Sequence, residues 1–155
     1  MNFESCTLPA FTVIGREGST RDGKGFIQRL WAEANARYAE IEPLVKRGAD
    51  GATVGFWGAM SDPTRAFKPW SNNFSDGLYL AGAECVDGAE PPQGWTKWVV
   101  PGFEYLRAEA EGPDTFARAV QALRESGISL AGAAQDFTCP ATGRNYIYFP
   151  IRKLP

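Results

Sequence analysis

The stretch TKWVVPGFEYLRAEAEG, residues 96–112, separates two halves of the chain that have the same predicted order of elements. It starts with the apolar run Trp98-Val99-Val100, which is typical of a strand buried on both faces. Pro101-Gly102 then interrupts the run, since proline cannot donate to a strand ladder and glycine often marks a bulge or bend. We therefore predict a long strand that crosses the middle of a sheet, with an irregularity at this dipeptide.

Each half around this strand predicts a β-α-β-β order. In the first half, a helix that starts near Lys24 has its apolar residues at i, i+3, i+4 and i+7, which indicates one buried face. In the second half, the helix spans residues 114–126, with Pro113 at its start and Gly127 at its end. The other predicted strands are residues 11–14, 53–58, 78–85, 134–138 and 145–152.

This order predicts an α+β fold in a single domain, residues 1–155, with pseudo-repeats of about 1–90 and 91–155. Two short helices are expected to cover one face of a shared antiparallel sheet. The other face is then expected to be open, or concave between the halves.

Composition excludes several classes of function. The net charge is −2 and there is no basic run, so direct contact with nucleic acid is not expected. No apolar segment approaches the roughly 20 residues of a membrane span, and the N-terminus lacks the pattern of a signal peptide, so we expect a cytoplasmic protein. Histidine is absent and the three cysteines are widely spaced, which leaves no basis for a metal, a cofactor or a histidine-dependent triad.

Aromatic residues on predicted strands are the first candidates for a binding site. Trp57, Tyr79, Tyr105 and Tyr148 can each point away from the helices, where they either line a pocket or pack in a core. Aromatic faces attract a cation by roughly 0.5–2 kcal/mol each. Trp70 lies in the loop 61–77, which either covers an edge of the core or forms a lid over a pocket.

Glu84 is the first acidic candidate, because it follows an apolar strand. It is either a solvated strand end or a buried acid that faces a pocket. In the buried case the carboxylate needs a partner, or its pKa rises.

Several short runs, in this order and spacing, resemble the gyrase-inhibitor-like, or AraC-type effector-binding, small-molecule-binding domains. The similarity covers nearly the whole chain. The runs are Val13-Ile14-Gly15, Ile27-Gln28-Arg29-Leu30-Trp31, Val54-Gly55-Phe56-Trp57, Tyr79-Leu80-Ala81-Gly82-Ala83-Glu84, Val100-Pro101-Gly102-Phe103-Glu104-Tyr105, Gly112-Pro113 and Ile147-Tyr148-Phe149-Pro150-Ile151.

The resemblance implies a duplicated β-α-β-β unit with a curved antiparallel sheet and a ligand cleft between the halves. It also implies a stand-alone member that binds a lipophilic, often cationic, compound with aromatic walls and a buried glutamate. In this chain Thr138 stands where that glutamate is expected. Asp136 lies two residues earlier, on the same predicted face of the strand. Either Asp136 takes over the role of the glutamate, or this chain lacks that role.

Three functions follow as expectations. The first is a small-molecule-binding protein with the ligand-binding residues Trp57, Trp70, Tyr79, Glu84, Tyr105, Asp136 and Tyr148. The second is a hydrolase in which Glu84 or Asp136 acts as general base and Tyr105 as acid or orienting group. The third is a protein-interaction inhibitor of a partner such as a gyrase, which uses the loop 61–77.

Overall fold

The computed structural model describes all residues, 1–155, and contains one eight-stranded antiparallel sheet. The strands are β1 (Glu4–Leu8), β2 (Phe11–Ser19), β3 (Phe56–Ser61), β4 (Leu78–Cys85), β5 (Thr96–Val100), β6 (Phe103–Glu109), β7 (Gln135–Thr138) and β8 (Asn145–Lys153). The helices are α1 (Phe26–Ala36), α2 (Ser71–Phe74) and α3 (Thr115–Glu125), with short 3-10 turns at Thr20–Asp22, Tyr38–Glu40 and Glu42–Leu44. None of these helices has the length and apolar character needed to span a membrane.

The strand order is β1-β6-β8-β7-β3-β4-β2-β5, which places β7 and β3 side by side at the centre. Each side of this centre contributes four strands in matching positions. Strand β1 precedes β2 in the chain but pairs with β6, and β5 precedes β6 but pairs with β2. The two sides are therefore held together by exchanged first strands as well as by the central β3–β7 pair. The predicted α+β fold with an antiparallel sheet is confirmed.

The stretch 96–112 does not cross the middle of the sheet, so that prediction is wrong. Pro101-Gly102 ends one strand and starts another: β5 forms one edge of the sheet, and β6 lies next to the other edge. Val99 is half exposed, at 50 %, because an edge strand with one open face cannot bury every apolar residue of the run. The edge strand β1 was not predicted, because its sequence ESCTL is short and mostly polar.

Strand alternation gives the sheet two different faces. On one face, α1 packs through Leu30 against β4, and α3 packs through Leu123 against Ile147 and Phe149 of β8. The opposite face carries no helix. It was predicted to be open or concave, and an open depression does lie there, beside ten buried residues that pack on one another. We call this set the aromatic core: Phe11, Val13, Trp57, Ala59, Leu80, Trp98, Val100, Phe103, Tyr105 and Tyr148.

Candidate ligand-binding site

A cavity of about 220 Å³, which we call the central cavity, lies on the helix-bearing face at the junction of the two halves. Residues of α1 and α3 form its sides, and β3, β7 and β8 form its floor. Eight of its ten lining residues are hydrophobic: Ile27, Met60, Pro69, Trp70, Phe74, Phe116, Ala133, Ala134, Asp136 and Ile147.

Small residues at the centre of the sheet leave room for this cavity. Gly58 of β3 pairs with Asp136 of β7, and the Tyr79 hydroxyl occupies the place where a side chain on Gly58 would start. Ala133 and Ala134 precede β7 and contribute only methyl groups to the wall.

Asp136 is the only ionisable group among the residues that line the cavity. The Tyr79 hydroxyl donates to Asp136 Oδ2 at 3.3 Å, and Trp31 Nε1 donates to the Tyr79 oxygen at 3.1 Å. Asp136 takes part in none of the nine ion pairs of the chain. Burial raises the pKa of Asp136 to about 6, although the hydrogen bond from Tyr79 opposes the rise.

Tyr79 is a neutral hydrogen-bond donor in this arrangement. Burial raises the pKa of Tyr79 far above its usual range, and the nearby Asp136 charge adds to the effect. The hydrogen bonds from Trp31 to Tyr79 and from Tyr79 to Asp136 therefore orient one carboxylate oxygen. The carboxylate has no cationic partner.

The loop between β3 and β4 covers the cavity through Trp70 and Phe74. Trp70 Nε1 donates to the Leu78 carbonyl at 3.0 Å, which fixes the indole over the cavity. The same loop also sends Phe67 to the other face, where its ring packs edge-on against Trp98 at 5.7 Å. The loop therefore contacts residues on both faces of the sheet.

Asp62 holds the start of this loop. Its carboxylate accepts from the backbone N–H groups of Thr64, Ala66 and Lys68 at 3.0–3.1 Å, and from the Thr64 hydroxyl. Burial alone would raise the pKa of Asp62, but these hydrogen bonds together lower it well below its usual range.

Five non-glycine residues of the loop have a left-handed backbone. Their φ values are 54–61°, and the residues are Arg65, Phe67, Asn72, Asn73 and Phe74. Asparagine adopts this conformation readily, whereas phenylalanine does so at a cost. The segment over the cavity is therefore held by its contacts rather than by its backbone preference.

Three other predicted residues lie on the opposite face, beside an open depression of about 380 Å³. Trp57, Glu84 and Tyr148 border it, at the margin of the aromatic core. Glu84 Oε1 accepts from Trp57 Nε1 at 3.0 Å, and Glu84 Oε2 lies 3.7 Å from Lys46 Nζ. Glu84 is therefore a half-buried acid whose charge already has a partner.

The seven predicted residues do not form one site. Trp70 and Asp136 line the central cavity, and Tyr79 contacts Asp136 from outside the lining. Tyr105 is fully buried in the aromatic core with no partner for its hydroxyl. Asp136 and Tyr105 lie on opposite faces of the sheet and cannot act on one molecule. No three acidic or cysteine side chains converge as metal ligands would.

The sequence analysis did not name most of the residues that line the central cavity, and four residues that it named, Trp57, Glu84, Tyr105 and Tyr148, lie on the opposite face. The missed residues are Ile27, Met60, Pro69, Phe74, Phe116, Ala133, Ala134 and Ile147. Thr138, at the position expected for a glutamate, bonds through its hydroxyl to Asn145 Oδ1 at 2.7 Å and does not line the cavity.

Solved structures share this arrangement of strands and helices, whereas no protein-family model and no curated protein matches the sequence. SAV2435 bound to tetraphenylphosphonium is 14 % identical, with a TM-score of 0.63 over 98 % of this chain and 94 % of that one. The C-terminal domain of EcmrR is 12 % identical, with a TM-score of 0.65 over 99 % and 100 % of the two chains. A hydrolase from Listeria innocua is 14 % identical, with a TM-score of 0.53 over 97 % and 91 %. The chain therefore has the GyrI-like fold, as the resemblance in its sequence implied.

Proposed function

We propose that this chain is a small-molecule-binding protein whose central cavity holds a lipophilic cation, with Asp136 as the counter-charge. The observation that carries the proposal is the Asp136 carboxylate, which has no cationic partner in a cavity that is otherwise almost wholly apolar. A buried charge without a partner is costly, and a bound cation would supply the partner. The rings of Trp70, Phe74 and Phe116 would add cation–π attraction of about 0.5–2 kcal/mol each.

The fold neighbour SAV2435 supports this class of ligand. Its structure contains tetraphenylphosphonium, which is a lipophilic cation. A shared fold does not establish a shared ligand. For this chain the support is its own apolar cavity and the Asp136 carboxylate.

The test compares two molecules of the same shape and different charge. Phenyltrimethylammonium and its neutral isostere tert-butylbenzene are titrated into the protein by isothermal calorimetry. We expect the cation to bind at least tenfold more tightly, and Asp136→Asn to remove that preference while it keeps the cavity shape. Asp87→Asn, an exposed acid remote from the cavity lining, is the matched control. Equal binding of the two molecules by the unmodified protein would overturn the proposal.

Hydrolysis is a second candidate function, favoured by the pKa of about 6 at Asp136. Such a carboxyl group is partly ionised near neutral pH and can accept a proton from water. Tyr79, not Tyr105, would be the orienting donor, because it contacts Asp136. An ester or epoxide that fits the cavity tests this: Tyr79→Phe should slow turnover and keep cation binding, whereas a binding protein shows no turnover in any variant.

A gyrase-like protein partner and a cytoplasmic location stay predictions from the sequence. Native mass spectrometry of the protein with gyrase, with and without the loop 61–77, tests the partner.

A further inference from the structure

We infer that the central cavity is the inner part of a longer site, and that its ligand is a monocation with a long apolar arm. This inference rests on the proposed function. The central cavity is proposed to hold the cationic head, and the inference adds a second space that holds the apolar arm. At about 220 Å³ the central cavity is smaller than most ligand pockets, which span roughly 300–1,000 Å³. It therefore holds a small cationic head and little more.

A second depression of about 380 Å³ lies on the other side of the covering loop, against α3 and the segment that follows it. We call it the outer groove. Pro69, Trp70 and Phe74 line both spaces, so these residues lie between them. Joined, the central 220 Å³ and the outer 380 Å³ give about 600 Å³, which is the size of an ordinary ligand pocket.

Phe74 is the part of this partition that can yield. Trp70 is fixed by its bond to the Leu78 carbonyl and by close packing on Gly77. Phe74 instead ends the four-residue helix α2 with a left-handed backbone, φ 61°, and rests edge-on against Phe116 at 5.3 Å. A bulky residue with a left-handed backbone is strained, and a change of its backbone conformation relieves that strain. A ligand arm that displaces the Phe74 ring should therefore meet little resistance from the backbone.

The charges of the two spaces differ in sign, which defines the ligand further. Asp136 is the only ionisable residue of the central cavity, and Arg124 is the only one of the outer groove. Arg124 takes part in none of the nine ion pairs. Val120, Leu123 and Ile128 give the outer groove an apolar wall. An apolar arm suits this groove, and a second positive charge does not.

A chain-length series tests the path of the arm. Butyl-, hexyl-, octyl- and decyltrimethylammonium are titrated by calorimetry below their micelle concentrations. In the unmodified protein we expect affinity to rise along the whole series, by up to about fourfold per methylene. Ser129→Trp fills the outer groove from an exposed position, so it should leave butyl binding unchanged and flatten the rise for longer arms. Ser126→Trp, exposed and outside the groove lining, is the control.

The outcomes separate the two ideas. If butyltrimethylammonium fails to bind, the proposed function fails. If it binds through Asp136 but affinity does not rise with arm length, or rises equally in Ser129→Trp, the longer site is wrong and the proposed function stands.

The charge of the outer groove is tested with a dication. Decyltrimethylammonium is compared with decane that carries a trimethylammonium group at each end. We expect the dication to bind roughly three- to tenfold more weakly, because its second charge meets Arg124. Arg124→Glu should reverse the order, whereas Arg118→Glu makes the same change of charge on α3 outside the groove lining and should not. Equal binding of both molecules, or the same reversal with both variants, would overturn the assignment of charge.

Discussion

Replacing Asp136 with asparagine should stabilise the folded protein above pH 6, because the carboxylate is desolvated and lacks a cationic partner. Burial raises the pKa of Asp136 from 3.8 to about 6. The folded state therefore holds a proton that the unfolded chain has released between about pH 4 and pH 6, and stability falls as the pH rises through this window. This rise in the pKa corresponds to about 3 kcal/mol in the free energy of unfolding. Asparagine cannot ionise, so the variant escapes this loss.

The measurement is urea unfolding at pH 4, 5, 6, 7 and 8, followed by tryptophan fluorescence and far-ultraviolet circular dichroism. Each curve gives a free energy of unfolding. The quantity of interest is the free energy of Asp136→Asn minus that of the unmodified protein, since other titrating groups cancel in it. This difference should grow by about 2.5 kcal/mol between pH 4 and pH 8, because a small part of the effect is already present at pH 4. For the exposed control Asp87→Asn it should stay within about 0.5 kcal/mol at every pH.

A difference that stays flat from pH 4 to pH 8 would refute the reasoning. It would mean that water solvates the carboxylate in the folded state, and that the cavity does not need a cation. A bound cation gives a second check. Phenyltrimethylammonium should stabilise the unmodified protein at pH 8, by an amount that grows with the logarithm of its concentration, and should stabilise Asp136→Asn less at the same concentration.

Three further substitutions test the surroundings of the site. Tyr105→Phe should leave the free energy of unfolding unchanged or slightly higher in urea titrations, because the buried hydroxyl has no partner; a loss above about 1 kcal/mol would contradict this. Gly58→Ala puts a methyl group where the Tyr79 hydroxyl lies, so it should lower the free energy of unfolding in urea titrations by about 1–3 kcal/mol; an unchanged free energy of unfolding would contradict the close contact between Gly58 and that hydroxyl. Asp62→Ala removes the acceptor of three backbone N–H groups and should cost at least about 1–3 kcal/mol at pH 7, with a smaller difference as the pH falls below about 4; a constant difference would contradict the lowered pKa of Asp62.

Local pattern predicted the elements whose burial is decided locally. The strand 78–85 and the helix 114–126 agree with β4 and α3 to within a residue. The strand has no charged residue before Glu84, and the helix has one apolar face between proline and glycine signals. The position of a strand within the sheet was not predictable in this way. Trp98 and Val100 are buried and Val99 is exposed, yet all three are apolar, so the alternation of an edge strand is invisible in the sequence.

Pairing partners are the other part that the sequence conceals. The exchange of β1 and β5 between the two halves depends on where the chain turns at Pro101-Gly102 and on which edge is free. These are properties of the assembled sheet and leave no periodic mark. The duplicated order of elements was visible, whereas the exchange that ties the halves together was not.

The location of the central cavity shows why aromatic residues on strands did not indicate its position in the sequence. Large rings attract one another, so strand-borne aromatics that share a face fill that face, as Trp57 does with Phe11 and Phe137 at centroid distances of 4.7 Å. Space survives where residues are too small to close it, which here means Gly58 and the pair Ala133-Ala134. Asp136 lies two residues after such a pair, on the strand opposite such a glycine, and has a hydrogen bond from Tyr79 but no cationic partner. In this sequence a single acid among small residues is therefore a better sign of a binding site than aromatic residues on strands. The aromatic rings that line the proposed site come from α3 and from the loop between β3 and β4.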